Sequence, residues 1–499
     1  MKKLILKYPL ACILVLTIIL RLPLLNGSFW LDEAAQALEI IRPFNQQLDI
    51  ISDFQPPLLH FILHFAQYFS RSEWFLRTIG AVIPGIITII FTYKIAVTLF
   101  SKQVAFLSTL LLATSSFHIF YSQELRPYSL PTALAVLSMY YFIKSLEQKN
   151  SKDSIVFLTI FNTLGLYASY LYPFFLLAQI AYTFLALKIK KTKKLFISFG
   201  VTIATFFPFL PIFLQQLAEG GVVRKQLPGW EQVVSVIQLK AIPLVFGKLL
   251  FGVLPLDASV LVIVLAVALT AALLLIVPHI LKNLKKYNFK LLFFWIIVPL
   301  ITAWLISFVV PVIQPKRLLF LLPGIYILIA HIADILMNSK SRKVAIFFVS
   351  TFLTINLLGT TAYYATPNLQ RENWRELVTQ MHREFVPSET LLVYSFPEEF
   401  APMRWYEMQQ AKKNLNTFPT FSTKTLYIEN VPNLTNDLKV AASYKTILVF
   451  DYLRDLTDPN NKIESVLLEL GFRQVGVLDY PNIGFVRVFM QPLNVIGMK

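Results

Sequence analysis

The stretch Leu291–Val310, LLFFWIIVPLITAWLISFVV, runs for twenty residues without one charged side chain. About twenty apolar residues in a helix cross the ~30 Å hydrocarbon core of a bilayer. Lipid offers no hydrogen-bond partners, so a spanning segment of this kind satisfies its backbone groups internally, as a helix. The stretch therefore predicts a membrane-spanning helix and a protein whose solvent is lipid.

The rest of the chain has the same character. Of its 499 residues, 56% are hydrophobic and 15% are charged, whereas soluble domains are roughly 45–50% apolar and about 25% charged. The first apolar segment follows Met1-Lys2-Lys3 without a small-residue cleavage site, so we expect a retained helix and not a signal peptide. In total we predict about eleven spans, near 8–25, 75–99, 104–121, 129–147, 154–171, 173–187, 195–214, 257–279, 291–310, 318–337 and 344–364.

The net charge of +17 lies mostly in three basic clusters between spans. Their members are Lys188, Lys190, Lys191, Lys193 and Lys194; Lys282, Lys285, Lys286 and Lys290; and Lys340, Arg342 and Lys343. Lysine and arginine concentrate in cytoplasmic loops, where they orient helices near anionic lipid. This placement favours membrane topology over nucleic-acid binding. The single cysteine, Cys12, allows no disulfide within the chain.

If the basic clusters are cytoplasmic, the order of spans sets the topology, and a change in composition near Pro367 divides the chain into two predicted domains. Residues 1–365 form a transmembrane module with a cytoplasmic N-terminus and outer loops at 26–74 and 215–256, and residues 366–499 form an extracytoplasmic α/β domain. Within the first outer loop, Pro57–Phe69 is too short for a crossing and suits a helix on the membrane surface. The polar segments around Asp32, Glu124 and Lys316 then all lie on the outer side, where one active site can use them.

Charged and polar residues return after about Pro367, and they alternate with short β-branched or aromatic runs. Such runs predict strands, and amphipathic stretches between them predict helices. The predicted strands are Thr390–Phe396, Lys424–Ile428 and Thr446–Tyr452, with a closing hairpin of Val475–Leu478 and Gly484–Phe489. The predicted helices are Trp374–Phe385 and Lys462–Leu470, the second ended by Gly471. We expect a structural or acceptor-guiding role for this domain, more than chemistry.

Two adjacent carboxylates, Asp32 and Glu33, follow the outer end of the first span. Acidic residues in the first turn of a helix complement its dipole, which is a purely structural explanation. A carboxylate at the interface can also act as a general base toward an attacking hydroxyl. Neighbours on a helix point in different directions, so at most one of the two is expected to be the base.

Two further segments place polar groups at the outer ends of spans. In Tyr121–Tyr128, a Glu124–Arg126 pair is the structural alternative, and phosphate binding by Arg126 with Glu124 as its partner or acceptor guide is the functional one. In Gln314–Arg317, Lys316 can extend to the interface as lysine commonly does. Arg317 has the forked guanidinium that suits a phosphate clamp.

Gln55-Pro56-Pro57 precedes His60 and His64, which are four residues apart. This spacing can put two imidazoles on one helix face for a metal ion, but no third ligand is evident. We therefore favour interfacial packing and predict no metal site.

Taken together, these strings resemble the GT-C superfamily of membrane glycosyltransferases, and more closely its family-39-like branch with protein O-mannosyltransferases and lipid A aminoarabinose transferase. The similarity covers nearly the whole chain. Its strings are Arg21-Leu22-Pro23, Trp30-Leu31-Asp32-Glu33, Gln55-Pro56-Pro57-Leu58, Ser72-Glu73, Phe75-Leu76-Arg77, Tyr121-Ser122-Gln123-Glu124-Leu125-Arg126-Pro127-Tyr128, Pro315-Lys316-Arg317 and Asn373-Trp374-Arg375. One departure is Gln55, where aminoarabinose transferases have lysine, so donor and acceptor need not be theirs.

The resemblance implies a plasma-membrane enzyme that takes a sugar from a polyprenyl phosphate at the outer interface and inverts the anomeric carbon. It implies Asp32 as the catalytic carboxylate beside Glu33, and Glu124 as a second acidic position. Arg126, Arg317 and Lys316 are expected at the donor phosphate. We expect Trp30, Gln55, His60 and Tyr128 to line the substrate site, no cofactor to be required (a divalent metal being the alternative), and a lipid, glycan or protein as acceptor.

A transporter or flippase of lipid-linked saccharides is the main alternative. Transporters of this kind often show internal repeats and broken helices near the bilayer midplane. This chain shows no obvious repeat, and its polar residues concentrate at one face. A non-catalytic assembly subunit is a third possibility, in which Asp32, Glu124 and Arg317 are dispensable for sugar transfer.

Overall fold

The computed structural model describes residues 8–147, 152–187, 192–227, 238–254, 286–412, 415–423 and 425–492, with isolated positions between 263 and 274. The predicted span 257–279 lies almost wholly outside the described residues. The same holds for Lys188, Lys190, Lys191, Lys282 and Lys285 of the basic clusters.

Helices dominate the first 365 residues. In chain order they are α1 Pro9–Ile19, α2 Leu31–Ile40, α3 Leu58–Ala66, α4 Glu73–Leu99 with a π-helical turn at Thr78–Val82, α5 Lys102–Thr114, α6 Ser116–Tyr121, α7 Ser129–Glu147, α8 Lys152–Leu166, α9 Tyr172–Ala186, α10 Lys193–Ala204, α11 Leu210–Gln226, α12 Gln238–Phe251, α13 Tyr287–Ile306, α14 Leu322–Met337 after a 3₁₀ segment Pro315–Leu321, and α15 Arg342–Ala365.

Five helical segments in the described part of the chain are long and apolar enough to cross a membrane. They are Glu73–Leu99, Lys193–Gln226, Tyr287–Ile306, Pro315–Met337 and Arg342–Ala365. The shorter apolar helix α9 turns large apolar side chains away from the protein. On α9, Phe184 and Leu185 are 64% and 69% exposed, which water disfavours and lipid accommodates. The predicted mainly helical fold is confirmed, while the number eleven remains a prediction.

Close contacts between helices lock this bundle together. Trp295 of α13 is fully buried, and its indole N–H donates to the carbonyl of Phe320 at 3.0 Å. On α4, a Cβ at Gly85 would lie 2.6 Å from Cβ of Ser122, so only glycine permits this approach of α4 to the turn after α6. A helix is present within the predicted segment Pro57–Phe69 as α3, while its position on the membrane surface stays a prediction.

The chain divides into two compact units. The first unit comprises Met1–Asn26, Pro43–Gln216 and Val234–Leu369, and it contains the apolar helices. The second comprises Gly27–Arg42, Leu217–Val233 and Gln370–Lys499. Helix α2, with Asp32 and Glu33, thus shares a unit with the C-terminal residues.

The second unit contains α16 Trp374–Glu384, α17 Ala401–Ala411, α18 Leu434–Asp437, α19 Arg454–Thr457 and α20 Lys462–Glu469. Its strands are β1 Thr390–Tyr394, β2 Thr420–Ser422, β3 Thr446–Phe450, β4 Arg473–Tyr480 and β5 Gly484–Met490. Among the described residues the strand order is β2-β1-β3-β5-β4. Strand β1 is parallel to β2 and β3, while β5 is antiparallel to β3 and β4.

Most predicted elements of this unit are confirmed with small shifts at their ends. Gly471 follows α20 at φ +89°, a left-handed conformation that ends a helix and favours glycine. The strand predicted at Lys424–Ile428 is wrong. The pairing partner of β1 is Thr420–Ser422, and Ile428 instead begins a 3₁₀ turn. The β-branched and aromatic composition of the predicted run could not specify which residues meet β1, because that register depends on a distant strand.

Candidate functional site

Three of the sequence strings meet in the first unit. The Nε of Arg21 donates to Oγ of Ser122 at 2.8 Å, and the side-chain amide of Gln123 donates to the carbonyl of Arg21 at 2.9 Å. Arg77 is fully buried and donates from Nη1 to the carbonyl of Leu25 at 2.9 Å. Residues 21–25 are therefore anchored by the turn that carries Glu124 and Arg126 and by the start of α4.

Replacing Arg21 by methionine should destabilise the protein. The buried guanidinium also donates to Nδ1 of His118 at 2.7 Å and to the carbonyls of Thr17 and Ala113. A guanidinium only donates, so Nδ1 of His118 accepts and the imidazole is neutral. Methionine would leave these acceptors without a donor, at a cost of about 1–3 kcal/mol per buried group. We expect a clearly lower midpoint of thermal unfolding in detergent, whereas the exposed Arg71→Met control should change it little; equal midpoints would contradict this role.

A buried carboxylate, Asp53, organises several predicted residues of the first unit. Its Oδ2 lies 2.6 Å from Nε2 of His60 and also accepts a hydrogen bond from the side-chain amide of Gln55. Its Oδ1 lies 3.4 Å from Nη1 of Arg126. Asp53 ends a 3₁₀ turn at Ile51–Asp53, and the left-handed Phe54 that follows reverses the chain toward α3. Gln55 and His60, predicted from one string, and Arg126, predicted from another, are thus brought together.

The electrostatics of this cluster keep Asp53 charged. Burial alone would raise the pKa of its carboxyl, but the hydrogen bond from His60 and the charge of Arg126 outweigh burial, so the pKa lies below its ordinary value. A charged acceptor fixes the imidazole of His60 as donor and holds the guanidinium of Arg126 in place.

Lys316 and Arg317 lie at the 3₁₀ segment before α14. The Nζ of Lys316 sits 5.4 Å from the centre of the Tyr128 ring, a cation–π distance. Nη1 of Arg317 donates to the carbonyl of Val312 at 3.1 Å. Tyr128, in turn, packs edge to face on Tyr121 at 5.3 Å. Lys316 thus joins the Gln314–Arg317 string to the Tyr121–Tyr128 string. Arg317 stabilises the loop that precedes it through its hydrogen bond to Val312.

Two other candidates take distinct positions in the first unit. Glu124 is 2% exposed, in the turn between α6 and α7. His64 faces Tyr68, whose hydroxyl lies 3.4 Å from its Nε2, and its ring packs on Phe44 and Phe65. His60 and His64 thus have different polar partners, Asp53 and Tyr68, and the expectation of no metal site stays a prediction.

The predicted catalytic string lies in the second unit. Trp30 precedes α2 in an extended conformation, and Asp32 and Glu33 occupy the first turn of that helix. Glu33 is fully buried, with Oε2 3.8 Å from Nε of Arg371. Asp32 is half-buried. The two neighbours therefore differ in environment, as expected from adjacent positions on a helix, and Glu33 has the environment of a structural carboxylate.

Sequence reasoning missed two acidic residues, Asp53 and Glu372. Asp53 stands only two residues before the Gln55 string, so its proximity was a usable signal. Glu372 immediately precedes Asn373-Trp374-Arg375, and nothing local to it indicates a contact with α2. Both residues acquire their importance from partners distant in sequence.

Comparisons with known proteins fit this architecture. Residues 54–212 match the family model described as dolichyl-phosphate-mannose-protein mannosyltransferase. The structure is similar to ArnT from Cupriavidus metallidurans in the apo state, at 10% identity, with 96% of this chain and 97% of that chain covered and a TM-score of 0.58. The same ArnT bound to undecaprenyl phosphate matches at 10% identity over the same shares, with a TM-score of 0.55.

An archaeal relative has a similar fold. The oligosaccharyltransferase AglB from Archaeoglobus fulgidus, in complex with an inhibitory peptide and a dolichol-phosphate, matches at 13% identity and a TM-score of 0.53. The match covers 98% of this chain and 75% of AglB. The predicted resemblance to the GT-C superfamily is confirmed. No curated protein sequence matches the chain. The apolar helices and the similarity in fold indicate a multi-pass membrane protein. The family-model match covers Gln55, His60 and Arg126, and it begins one residue after Asp53.

Proposed function

We propose that this chain is a glycosyltransferase that moves a sugar from a polyprenyl-phosphate-linked donor to an acceptor hydroxyl or phosphate, with inversion at the anomeric carbon. The family-model match and the GT-C fold support this general reaction. Solved structures of that fold contain undecaprenyl phosphate in ArnT and dolichol-phosphate in AglB. The observation that carries the proposal is the position of Arg126, which lies within the matched region and is held by the buried carboxylate of Asp53.

In the first unit, Arg126 is proposed to bind the donor phosphate. Negative charge accumulates on the leaving phosphate as the glycosidic bond breaks, and a fixed cation stabilises that charge more in the transition state than before it. A guanidinium has five N–H donors, so contact with Asp53 is compatible with a forked contact to phosphate oxygens. Lys316 and Arg317 are proposed as further cations for the same phosphate, with Tyr128 orienting the lysine.

In the second unit, Asp32 is proposed as the general base. Its carboxylate accepts the proton of the acceptor group while the acceptor oxygen attacks the anomeric carbon, and the polyprenyl phosphate leaves. The burial of Glu33 against Arg371 supports Asp32 as the base of the pair. Glu124 and Trp30 are retained as proposed site residues from the resemblance. We place the reaction at the outer face of the plasma membrane, with the C-terminal domain extracytoplasmic.

Reconstituted full-length protein with a panel of radiolabelled polyprenyl-phosphate sugars tests this proposal, with a membrane extract as the acceptor source. Label that moves from donor to an extract component, or slow hydrolysis of the donor, is the expected result. Intact donor that crosses the bilayer without losing its sugar would instead establish a transporter of lipid-linked saccharides.

The proposed reaction does not require a metal ion, because arginine and lysine neutralise the leaving phosphate. We expect a chelator such as EDTA to change the transfer rate less than about twofold, since no step relies on metal-ion catalysis. Asp53 and His60 are residue types that bind divalent cations. If EDTA abolished transfer and zinc or manganese restored it, metal independence would be overturned. Asp53 and His60 would then be the first candidate metal ligands.

A further inference from the structure

The segment before α2 is held within the second unit by side chains from the C-terminal residues. The backbone N–H of Phe29 donates to the hydroxyl of Tyr406 at 2.7 Å, and the backbone N–H of Arg375 donates to Oγ of Ser28 at 3.1 Å. The Phe29 ring is fully buried, with its centre 5.7 Å from that of Trp405. The approach to Asp32 is therefore fixed by α16 and α17.

Glu372 contacts the residue that precedes Asp32. Its Oε2 accepts from the N–H of Leu31 at 3.2 Å and from the indole N–H of Trp374 at 2.6 Å. Its Oε1 accepts from the hydroxyl of Tyr452 at 2.8 Å. Leu31 is the first residue of α2, and the first N–H groups of a helix lack partners within the helix. A carboxylate 341 residues away thus caps the helix that carries Asp32.

The hydrogen bonds of Glu372 tolerate both of its protonation states. Leu31 and Trp374 can only donate, and both contact Oε2. Oε1 faces the Tyr452 hydroxyl, which can donate to a carboxylate or accept from a carboxylic acid. A proton on Oε1 therefore reverses one hydrogen bond without breaking any. An amide at this position can make the same three contacts.

Burial, and to a smaller extent the charge of Asp32, brings the pKa of Glu372 close to neutrality. Burial raises its pKa to about 7, the hydrogen bonds from Trp374, Tyr452 and Leu31 oppose that rise, and the charge of Asp32 adds to it. Among the described residues, charged groups on the neighbouring elements include Glu33 with Arg371 at 3.8 Å and Arg375 over the Tyr406 ring at 5.8 Å. Asp451, next to Tyr452, is itself paired with Arg454 and Arg487.

We propose that Glu372 is a positioning residue for Asp32: it holds the first turn of α2 in place and changes the net charge beside Asp32 as it gains or loses a proton. The charge part of this inference rests on the proposed function. Ionised Glu372 adds a negative charge that favours proton uptake by Asp32 as the acceptor is deprotonated. The kcat for sugar transfer should therefore rise with pH through about 7, as Glu372 loses its proton.

Glu372→Gln and Glu372→Ala separate the positioning role of Glu372 from its charge role. Both variants are studied as full-length protein reconstituted in nanodiscs. Glu376→Gln is the matched control, since Glu376 is exposed one turn along α16. Hydrogen exchange of peptides that cover residues 28–33 reports the position of α2, independent of any sugar transfer. We expect faster exchange there in Glu372→Ala, with unchanged protection of the β3 and β5 peptides, and wild-type protection in Glu372→Gln and Glu376→Gln.

The dependence of kcat for sugar transfer on pH reports the effect of the Glu372 charge. Glu372→Gln should match wild type at pH 6, lose the rise through pH 7 and be several-fold slower at pH 8, with an unchanged KM for donor. Wild-type protection of residues 28–33 in Glu372→Ala would overturn the positioning, and a wild-type rise in Glu372→Gln would overturn the charge role. A wild-type chain that transfers no sugar contradicts the proposed function, while the exchange result still decides the positioning.

Tyr452→Phe removes only the Oε1 donor, so it should increase hydrogen exchange of residues 28–33 less than Glu372→Ala does. An equal increase in exchange would also contradict the inference.

Discussion

Replacing Asp32 by asparagine should lower the kcat for sugar transfer by about 10²–10⁴-fold, the usual contribution of a general base. Asparagine has nearly the same shape as aspartate but cannot accept the acceptor's proton. The position of Asp32 in the first turn of α2 is also what the helix dipole would favour, so geometry alone does not separate catalysis from helix stability. The size of the kinetic effect separates the two roles. Loss of the dipole interaction would cost only about 0.3–1 kcal/mol of stability, whereas loss of a general base lowers kcat directly.

The controls for Asp32→Asn come from the same unit. Asp437→Asn makes the same substitution at an exposed helix residue and should leave transfer unchanged. Glu33→Gln removes the charge facing Arg371, so it should mainly lower the unfolding temperature. A normally folded Asp32→Asn variant with wild-type transfer would eliminate Asp32 as the base. Loss of transfer in Glu33→Gln with an unchanged unfolding temperature would move the role to Glu33.

Replacing Arg126 by methionine should lower kcat/KM for the polyprenyl-phosphate donor by about 10²–10³-fold, the scale for removing one fixed group that stabilises transition-state charge. Methionine fills similar space without a charge. Arg126→Lys restores the charge but not the forked geometry, so we expect partial recovery. Asp53→Asn should also weaken transfer, because Asp53 holds Arg126 at 3.4 Å.

Arg71→Met provides the matched comparison for Arg126→Met, since Arg71 is exposed and bonds to Gln67 at 2.8 Å on the same unit's surface. Steady-state rates over a range of donor concentrations distinguish binding from chemistry. An Arg126→Met variant with unchanged kcat/KM and retained folding would show that the donor phosphate is bound elsewhere. Lys316→Met and Arg317→Met would then be the next variants to measure.

Local sequence patterns predicted the elements of this protein well. The apolar runs located helices such as α13 and α15, and the β-branched runs located β1, β3 and the final hairpin. These features depend on periodicity and composition within about twenty residues. Local patterns did not predict which residues pair with β1. The strand was placed at Lys424–Ile428, but Thr420–Ser422 pairs with β1 through a register that no local pattern encodes.

The sequence by itself determined the membrane class, the helix α3 and the strings that carry the candidate residues, because each is a property of neighbouring residues. Only the tertiary structure showed that Asp53 joins His60 to Arg126 and that Glu372 caps α2. Buried charges must find partners to offset the loss of hydration, and the partners can come from any part of the chain. The environment of a buried charge is therefore decided by long-range packing, which composition and spacing do not record.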